Sequence, residues 1–481
     1  MNIPLPILLK YFKKISLSSL LVSFLCLFSG CSYVDYQEAK IEVKSVNEEL
    51  KLASIMNEDF IDFLSDEGYN DQELPIENWG LNELLLAQQF YNKEIAIAKS
   101  DWEIIKSNED LVTLNPTTSL GISIGKGDSD EEISKNIYGA GISLVFESRN
   151  KKIIRYEIAF NKTQSAFLTY QISVSENKIK LLQDLVSYIE NQDLIIIQKK
   201  EVKLNQSILH MVKKRFDLGL ASQVDLDRHT LNISNAYQIL INLQIKQENL
   251  RRKIATHIGM IFEKFNQIPL KTHDIRAQLK KASESFSNKQ KVSEIKKAAT
   301  LNSLSLRKLL ADYAIAESEL KYEIAKQYPD YIFSPAYTYD LGNYIWSLGI
   351  DSLISSSKRN EILINKAKKI RTVQANKIYM HQLNLINRAE NLIPRFEGMT
   401  RQLDHSQTLV EARKRLENQL QNQLKNGLMS RLDLELELVG LFEVDKKYHK
   451  ALYNLINSGL DAERIMQQPI ITNKVYLIDE K

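Results

Sequence analysis

The sequence is poor in the residues that break or cross-link a chain. Nine prolines and sixteen glycines in 481 residues exclude a loop-rich fold and favour long uninterrupted helices. Only two cysteines are present, Cys26 and Cys31, and Cys26 lies inside an apolar run. No second Cys/His cluster makes either of them a metal ligand or a disulfide partner. The histidines (His210, His229, His257, His273, His381, His405 and His449) are scattered without ligand spacing, so neither a metal nor another cofactor is expected. An excess of one charge is missing as well. The formal charge is +3, yet Lys10, Lys13 and Lys14 precede Cys31 and no acid does, which leaves the remaining chain balanced. Nucleic-acid binding normally shows a basic stripe; none is present, and no nucleic acid is expected as a partner. Motifs of catalysis are lacking too. There is no G-x-S-x-G, no P-loop and no convergent His/Asp/Glu cluster, so the chain is not expected to be an enzyme.

What is present begins with an address. Lys10, Lys13 and Lys14 form a charged region, Ile15 to Phe28 an apolar one broken only by serines, and the small residues Ser29 and Gly30 precede Cys31. This is secretory-signal architecture, too short for a comfortable transmembrane helix. Leu27-Phe28-Ser29-Gly30-Cys31 resembles the lipobox of bacterial lipoproteins, with Phe28 where that family prefers Leu. The resemblance implies a diacylated Cys31 as the new N-terminus, and Ser32 beside it resembles lipoproteins sent to the outer membrane. Two or more acyl chains hold a protein durably at a bilayer, since each buried methylene contributes roughly 0.8 kcal/mol. The competing readings are an ordinary cleaved signal with a coincidental cysteine, or an uncleaved anchor.

The rest of the chain repeats itself with a period of about 210 residues. Gly219-Leu220-Ala221-Ser222-Gln223-Val224-Asp225-Leu226-Asp227 recurs as Gly427-Leu428-Met429-Ser430-Arg431-Leu432-Asp433-Leu434-Glu435. Gly141-Ile142 with Arg149-Asn150 matches Gly349-Ile350 with Arg359-Asn360, and Asn115-Pro116 matches Tyr328-Pro329. Each half has one grammar. An alanine-spaced helix comes first, Leu81 to about Thr113 and Leu301 to about Gln327, and proline stops it. Two alternating segments follow, then a long helix, a glycine turn and a shorter returning helix. The predicted organisation is a signal peptide at 1–30 and an anchor with an N-terminal segment at 31–79. The first repeat spans 80–260, with strands at about 117–126 and 137–146 and a tip at about 217–222. A segment at 261–300 separates it from the second repeat, 301–460, with strands at about 331–339 and 344–353 and a tip at about 425–430. Residues 461–481 form a C-terminal segment.

The alternating segments carry the sharpest argument. Leu120, Ile122 and Ile124 oppose Ser119, Gly121, Ser123 and Gly125; Tyr138, Ala140, Ile142, Leu144 and Phe146 oppose Gly139, Gly141 and Ser143. Tyr331, Phe333, Tyr337 and Tyr339 share a face, with Pro335 predicting a bulge. Tyr344, Trp346, Leu348 and Ile350 oppose Ser347, Gly349 and Asp351. Greasy and aromatic on one side, small or polar on the other, over roughly ten residues, is the pattern of membrane β-strands around a wet lumen. On pattern alone, half-buried strands of a soluble sheet fit equally. Four strands cannot close, and a sheet crossing lipid can have no open edge, so membrane entry requires a barrel shared between subunits. The long helices set the other dimension. Lys151 to Asp217 has no Pro or Gly, and Ile179, Leu182, Val186 and Ile189 step as a coiled-coil seam; at 1.5 Å per residue it reaches on the order of 100 Å. Lys358 to Asn426 repeats the length, with Pro394 and Gly398 predicting an interruption and a kink. The returning helices, roughly Gln223 to Ile258 and Leu432 to Ser458, are about half as long.

With these landmarks in place the chain resembles the TolC-like outer-membrane factor family over nearly all of residues 80 to 465. Tyr328-Pro329, Tyr138 through Phe146 with Arg149, Trp346 through Ile350 with Arg359, and the two Gly-Leu-x-Ser turns carry the likeness. The family's Pro and paired Gly after the second strand of each half are replaced by Val145-Phe146-Glu147-Ser148 and Leu353-Ile354-Ser355-Ser356. The resemblance implies a mainly α fold with membrane β: duplicated strand pairs and long coiled-coil hairpins assembled as a homotrimer, a 12-stranded β-barrel on a 12-helix α-barrel. An intermediate belt would come from Ser32 to Trp79, Met260 to Thr300, and Asp461 onward. It further implies a passive outer-membrane channel of a tripartite efflux or secretion system, extending into the periplasm and working with a periplasmic adaptor and an inner-membrane pump. The alternative is a periplasmic lipoprotein coiled-coil adaptor or scaffold, which would share the lipobox and a helical hairpin but not a duplicated hairpin with membrane-type strand pairs.

The candidate functional residues lie at the tips. Gly219 and Gly427 suit left-handed helix ends, Ser222 and Ser430 are good N-caps, and Leu220 and Leu428 with these turns are candidates for adaptor docking. Asp433 matches the family's acidic constriction residue, and Glu437, one helical turn on, stands in for a second acid where Leu436 now lies. Asp225, its counterpart in the first half, is placed to bridge to Arg431 or Arg228. First-turn acids also suit the helix dipole whatever else they do.

Overall fold

The computed structural model describes residues 35–468 apart from 39–41, 115, 128–135, 149, 288–291, 353 and 355. Cys31, Arg149 and residues 469–481 therefore lie outside the described residues. Contacts divide the chain into Met1–Leu50 and Lys51–Lys481. The described part of the first unit leads into helix α1 (Val43–Leu52); everything below concerns the second.

In chain order the second unit continues with α2 (Glu58–Asp66), α3 (Leu81–Tyr91), α4 (Lys93–Thr113), β1 (Ser119–Lys126) and β2 (Asn136–Phe146). Then come α5 (Lys151–Asp217), α6 (Gln223–Ile258), α7 (Phe262–Phe265), α8 (Thr272–Ser287), α9 (Val292–Asn302) and α10 (Leu304–Ala325). It ends with β3 (Tyr331–Asp340), β4 (Asn343–Ser352), α11 (Ser357–Lys425) and α12 (Arg431–Met466). The two long helices, α5 with 67 residues and α11 with 69, are each about 100 Å of continuous helix at 1.5 Å per residue.

The helices pack as one layer. Toward the sheet its order is α4, α5, α10, α11; toward the glycine turns it is α6, α5, α12, α11. The two long helices thus run through both halves, and shorter helices stack end to end beside them. Among the described residues the layer has two free edges, α4 with α6 on one side and α11 on the other. The main core lies midway, where Leu181, Leu182, Leu185, Val186 and Ile189 of α5 meet Leu84 and Ala87 of α3, Ile254 and Ile258 of α6, and Leu455, Ile456 and Leu460 of α12. Phe60, Leu64 and Trp79 of the N-terminal segment close over it together with Phe265, Ile268, Ile275 and Leu279 of the central one. Trp79 fixes the two segments together, its N–H donating to Pro269 O at 3.0 Å and its carbonyl accepting from Lys271 N at 2.8 Å.

Four sequence expectations are corrected here. The alanine-spaced helix from Leu81 is two helices, broken at Asn92, whose extended backbone (ψ 114°) caps α4. Gly259, at φ +93°, packs so closely there that a Cβ would meet the Tyr91 carbonyl carbon at 2.7 Å, and Asn92 Nδ2 donates to His257 O at 2.7 Å. The second such helix is likewise divided, at Ser303, whose Oγ accepts from Leu306 N at 3.1 Å. Pro394 does not interrupt α11, which runs unbroken through it and Gly398. One missing donor is outweighed by tertiary packing, since Leu392 and Phe396 on either side are buried in the main core. Finally, α12 continues past Ser458 to Met466 because Leu460, Ala462 and Met466 belong to the same core.

Candidate functional site

The four strands form an antiparallel meander in the order β1-β2-β3-β4. Their register gathers most large apolar side chains and nearly all the aromatic ones on one face: Leu120 lies opposite Ile142, Ile124 opposite Tyr138, Tyr138 opposite Tyr339, Leu144 opposite Phe333, Tyr337 opposite Trp346, and Phe333 opposite Ile350, while Ile137, Val145, Ile332 and Ile345 lie on the other. The other face carries rows of small residues, such as Ser123, Gly139, Thr338 and Gly121, Gly141, Ala336, Ser347. Pro335 does not make the expected bulge. The register is the same on both sides of it, and the β2–β3 ladder simply lacks its pairs at Ile142 and Ser143, where the proline offers no N–H.

The apolar face is the more exposed one: Ile124 is 79% exposed, Trp346 76%, Tyr344 69% and Leu348 64%. Aromatic side chains cluster at its hairpin end, where Tyr337 contacts Trp346 with centroids 4.6 Å apart and Tyr339 contacts Tyr344 at 5.2 Å. At the helical end Phe146 meets Phe333 edge-on at 5.1 Å. The small face is the inside of a curve. A Cβ on Gly141 would lie 3.0 Å from Ala336 Cβ, and one on Gly139 3.7 Å from Ser123 Cβ, against the 4.5–5.5 Å usual for paired Cβ atoms. Among the described residues both outer strands, β1 and β4, have an unpaired edge. Where the family's Pro and Gly hinge is absent, an ionic pin holds the sheet to the helices: buried Lys151 Nζ reaches Asp330 Oδ1 at 2.8 Å and Tyr328 O at 2.7 Å, and Ser148 N donates to the same carboxylate at 2.8 Å.

The opposite end of the layer is formed by two turns with one construction. Gly219 (φ +64°) and Gly427 (φ +72°) are left-handed. Gly219 N donates to Phe216 O at 2.9 Å and Leu220 N to Arg215 O at 2.7 Å, while Gly427 N donates to Leu424 O at 3.1 Å and Leu428 N to Gln423 O at 2.9 Å. This is the 5→2 and 6→1 pair that closes a helix end on glycine. The leucine that follows normally packs back on the helix; here Leu220 is 74% and Leu428 78% exposed. Leu218 is exposed as well, and its counterpart in the second half is the polar Asn426. Ser222 and Ser430 cap the returning helices, accepting from Asp225 N and Asp433 N at 3.2 Å.

The structure does not join the acids across the tips. Asp225 accepts from Ser222 Oγ at 2.7 Å and Ser222 N at 3.1 Å, bonds that hold its carboxyl below the usual range. It makes no ion pair with Arg431 or Arg228 among the described residues. Arg431 turns instead to Glu435, one helical turn away, Nε to Oε1 at 3.0 Å. Asp433 accepts from Ser430 Oγ at 2.5 Å, and both it and Glu437 are exposed. Ile208 and Val212 of α5 meet Leu432 of α12 beside the tips, with Ala221 and Leu226 packed against them.

Sequence reasoning missed a polar node in the middle of the layer. Asp193 of α5, almost buried, receives Arg276 of α8 at 2.5 Å and the Tyr453 hydroxyl of α12 at 2.6 Å, with His449 Nδ1 at 3.1 Å. Burial acts to raise the Asp193 carboxyl, but His449, Tyr453 and the Arg276 charge reverse this and hold it below the usual range. Burial and the carboxylate push the Tyr453 hydroxyl up. The four residues come from three distant segments, which no local pattern links.

A single layer of long paired hairpins, ending in a curved sheet with its greasy side outward, defines the TolC-like outer-membrane channel fold. Solved structures agree. The outer-membrane channel OprN aligns with a TM-score of 0.65 at 13% identity, over 92% of this chain and 99% of its own. The CmeC outer-membrane channel of Campylobacter jejuni gives 0.65 at 12% identity, over 90% and 94%. The outer-membrane protein VceC of Vibrio cholerae gives 0.64 at 11%, over 80% and 95%. No family model and no curated protein matches the sequence.

Proposed function

We propose that this chain is the outer-membrane channel of a tripartite efflux or secretion system: a passive homotrimeric conduit, anchored by lipid on Cys31, that reaches through the periplasm to a periplasmic adaptor and an inner-membrane pump. One observation carries the reading. The sheet exposes an unbroken apolar face and two unpaired edges, and the helical layer is open on the same two sides, since β1 follows α4 and β4 leads into α11. A single rotation that brings β4 against the next β1 also brings α11 against the next α4 and α6, so one operation closes both layers. Three copies supply about twelve strands, within the range of membrane barrels, with the small, concave face lining water. No helix among the described residues is long and apolar enough to cross a membrane, so in this reading the sheet is what enters lipid, where every backbone group needs a partner.

The OprN and CmeC structures are named as outer-membrane channels, which supports the same role here. Within this reading the exposed Leu220 and Leu428 turns meet the adaptor, and Asp433 and Glu437, three copies of each, narrow the mouth and favour cations. Asp225 and Arg431 serve the turns through Ser222 and Glu435. The test is export. A strain carrying Leu220→Glu with Leu428→Glu should make trimers but lose export, and purified protein should conduct ions in a planar bilayer. A protein that inserts no conducting pore would overturn the reading.

A further inference from the structure

The tip half of α11 is held within its own chain by a single stripe. Between Asp404 and Lys425 only Ser406, Val410, Arg413, Glu417, Leu420 and Leu424 are buried or half-buried, and every other residue is exposed. They step by four and three residues without a slip, the spacing of a coiled-coil seam. The helix they face is α12, the neighbour of α11 toward the turns. Three of the six are polar. Ser406 turns back on its own helix, its Oγ donating to Gln402 O at 2.8 Å. Arg413 and Glu417 meet in the middle of the stripe, Nη1 to Oε2 at 3.2 Å, and Asp445 of α12 stands 3.4 Å from Arg413 Nε. All three side chains are mostly buried. Two carboxylates thus share one guanidinium inside a seam, and Arg413 Nε, although buried, makes no hydrogen bond.

Asp445 is also faced by Lys200 of α5 and by His449, one turn along α12. Lys446 beside it is taken up by Glu201 of α5 at 2.7 Å and by Glu443 at 2.9 Å. Burial is the largest influence on the Asp445 carboxyl and lifts it above the usual range; Glu417 adds to this, while Arg413, His449 and Lys200 oppose it. The other seams of the tip half are made differently. α5 holds α6 through Asn191 Nδ2, which donates to Leu243 O at 2.8 Å, and Gln198 Nε2, which donates to Ala236 O at 3.1 Å. It holds α12 through the Glu201–Lys446 pair and through Leu432, packed on Ile208 and Val212. A ring of helices widens only where a seam gives, and a seam with two buried carboxylates competing for one cation gives first.

We propose that the α11–α12 seam is a proton-sensitive latch at the periplasmic mouth, weakest while Asp445 and Glu417 are both ionised and closed when Asp445 takes up a proton. The latch rests on the reading of the chain as a duct and adds its regulation. Parting the seam returns Asp445 to water, so its carboxyl holds a proton more tightly in the closed seam than in the open one. Closure is therefore favoured as pH falls through the raised value, and fully so below about 3.9, the value of a hydrated Asp. Neutral pH leaves the arm formed by the tip half of α11 free to swing from α12, while α12 stays on α5.

The test is a spin-label pair across the seam, Lys414→Cys with Lys447→Cys, both exposed, in the full chain in lipid nanodiscs. Distances are read by pulsed electron resonance at pH 7 and at about pH 5. The expected result is a short and a long component at pH 7, with the long one reduced roughly threefold in acid. Asp445→Asn keeps the size of the side chain without its charge and should hold the short distance at both pH values. Glu417→Gln leaves Arg413 to Asp445 alone and should move the transition to lower pH; it is the second variant should Asp445→Asn fail to fold. Distances that ignore pH, a transition that persists in Asp445→Asn, or one that stays in place in Glu417→Gln would each overturn the latch. Single-channel conductance of the same samples separates the two claims. Pores at both pH values with unchanged distances remove the latch alone, and a protein that forms no pore at either pH removes the duct.

Discussion

The middle of the molecule and its sheet are built on opposite terms. In the middle, Leu181, Leu182, Leu185, Val186 and Ile189 are fully or almost fully buried within one chain, and the Asp193 node satisfies its own charges. In the sheet the same kinds of side chain point outward, and the two outer strands leave backbone groups unpaired. The first region satisfies its packing within one chain. In the proposed duct the second is completed from outside the chain, by lipid on its face and other copies at its edges. The difference locates where assembly, as opposed to folding, depends on sequence.

The contrast is broken most directly by charge on the greasy face. Leu348→Arg should cost about 2–4 kcal/mol per copy at mid-bilayer, three times over in a trimer, and should leave the protein out of the membrane fraction on flotation. Ser347→Arg, its neighbour on the small face, should float normally. Next comes the core. Leu182→Ala, at a position with no exposure, should destabilise by about 2–5 kcal/mol, read as a lower denaturant midpoint of helix signal, while membrane partitioning of the folded fraction is unchanged. The Asp193 node should follow, with Asp193→Asn losing about 2–3 kcal/mol at neutral pH. Because the folded carboxyl titrates lower than an unfolded one, its contribution is present above the unfolded value of about 3.9 and is lost as pH falls through the folded one. Thermal melts of the substituted and unsubstituted protein should therefore differ at pH 7 and draw together only as the pH falls below about 3.9. The smallest expected effect is at the tips, where Asp433→Ala should raise single-channel conductance and weaken cation preference while leaving helix content unchanged.

Much of the fold was legible because its signals are local. The α5 span follows from a stretch without Pro or Gly, the strands from strict alternation at Leu120 to Ile124 and Tyr344 to Ile350, and the tip turns from Gly219 and Gly427 followed by capping serines. The features that were not legible depend on residues far apart in the chain. Asn92 breaks a helix because Gly259 and the His257 carbonyl press against it, and α11 survives Pro394 because Leu392 and Phe396 are buried. Asp193 finds Arg276 and Tyr453 only after three segments have packed together. At the candidate mouth the residues were read in advance but their partners were not. Asp225 and Asp433 satisfy themselves on their own capping serines, and Arg431 on Glu435, so the local bond is made where a bridge between the tips was expected.

The central claim is that β1 and β4 find partners on neighbouring chains once in lipid. Amide hydrogen exchange of the protein in lipid nanodiscs tests it strand by strand. The account predicts that Ser119–Lys126 and Asn343–Ser352 exchange as slowly as β2 and β3. Rapid exchange along either outer strand, with the inner pair protected, would contradict it.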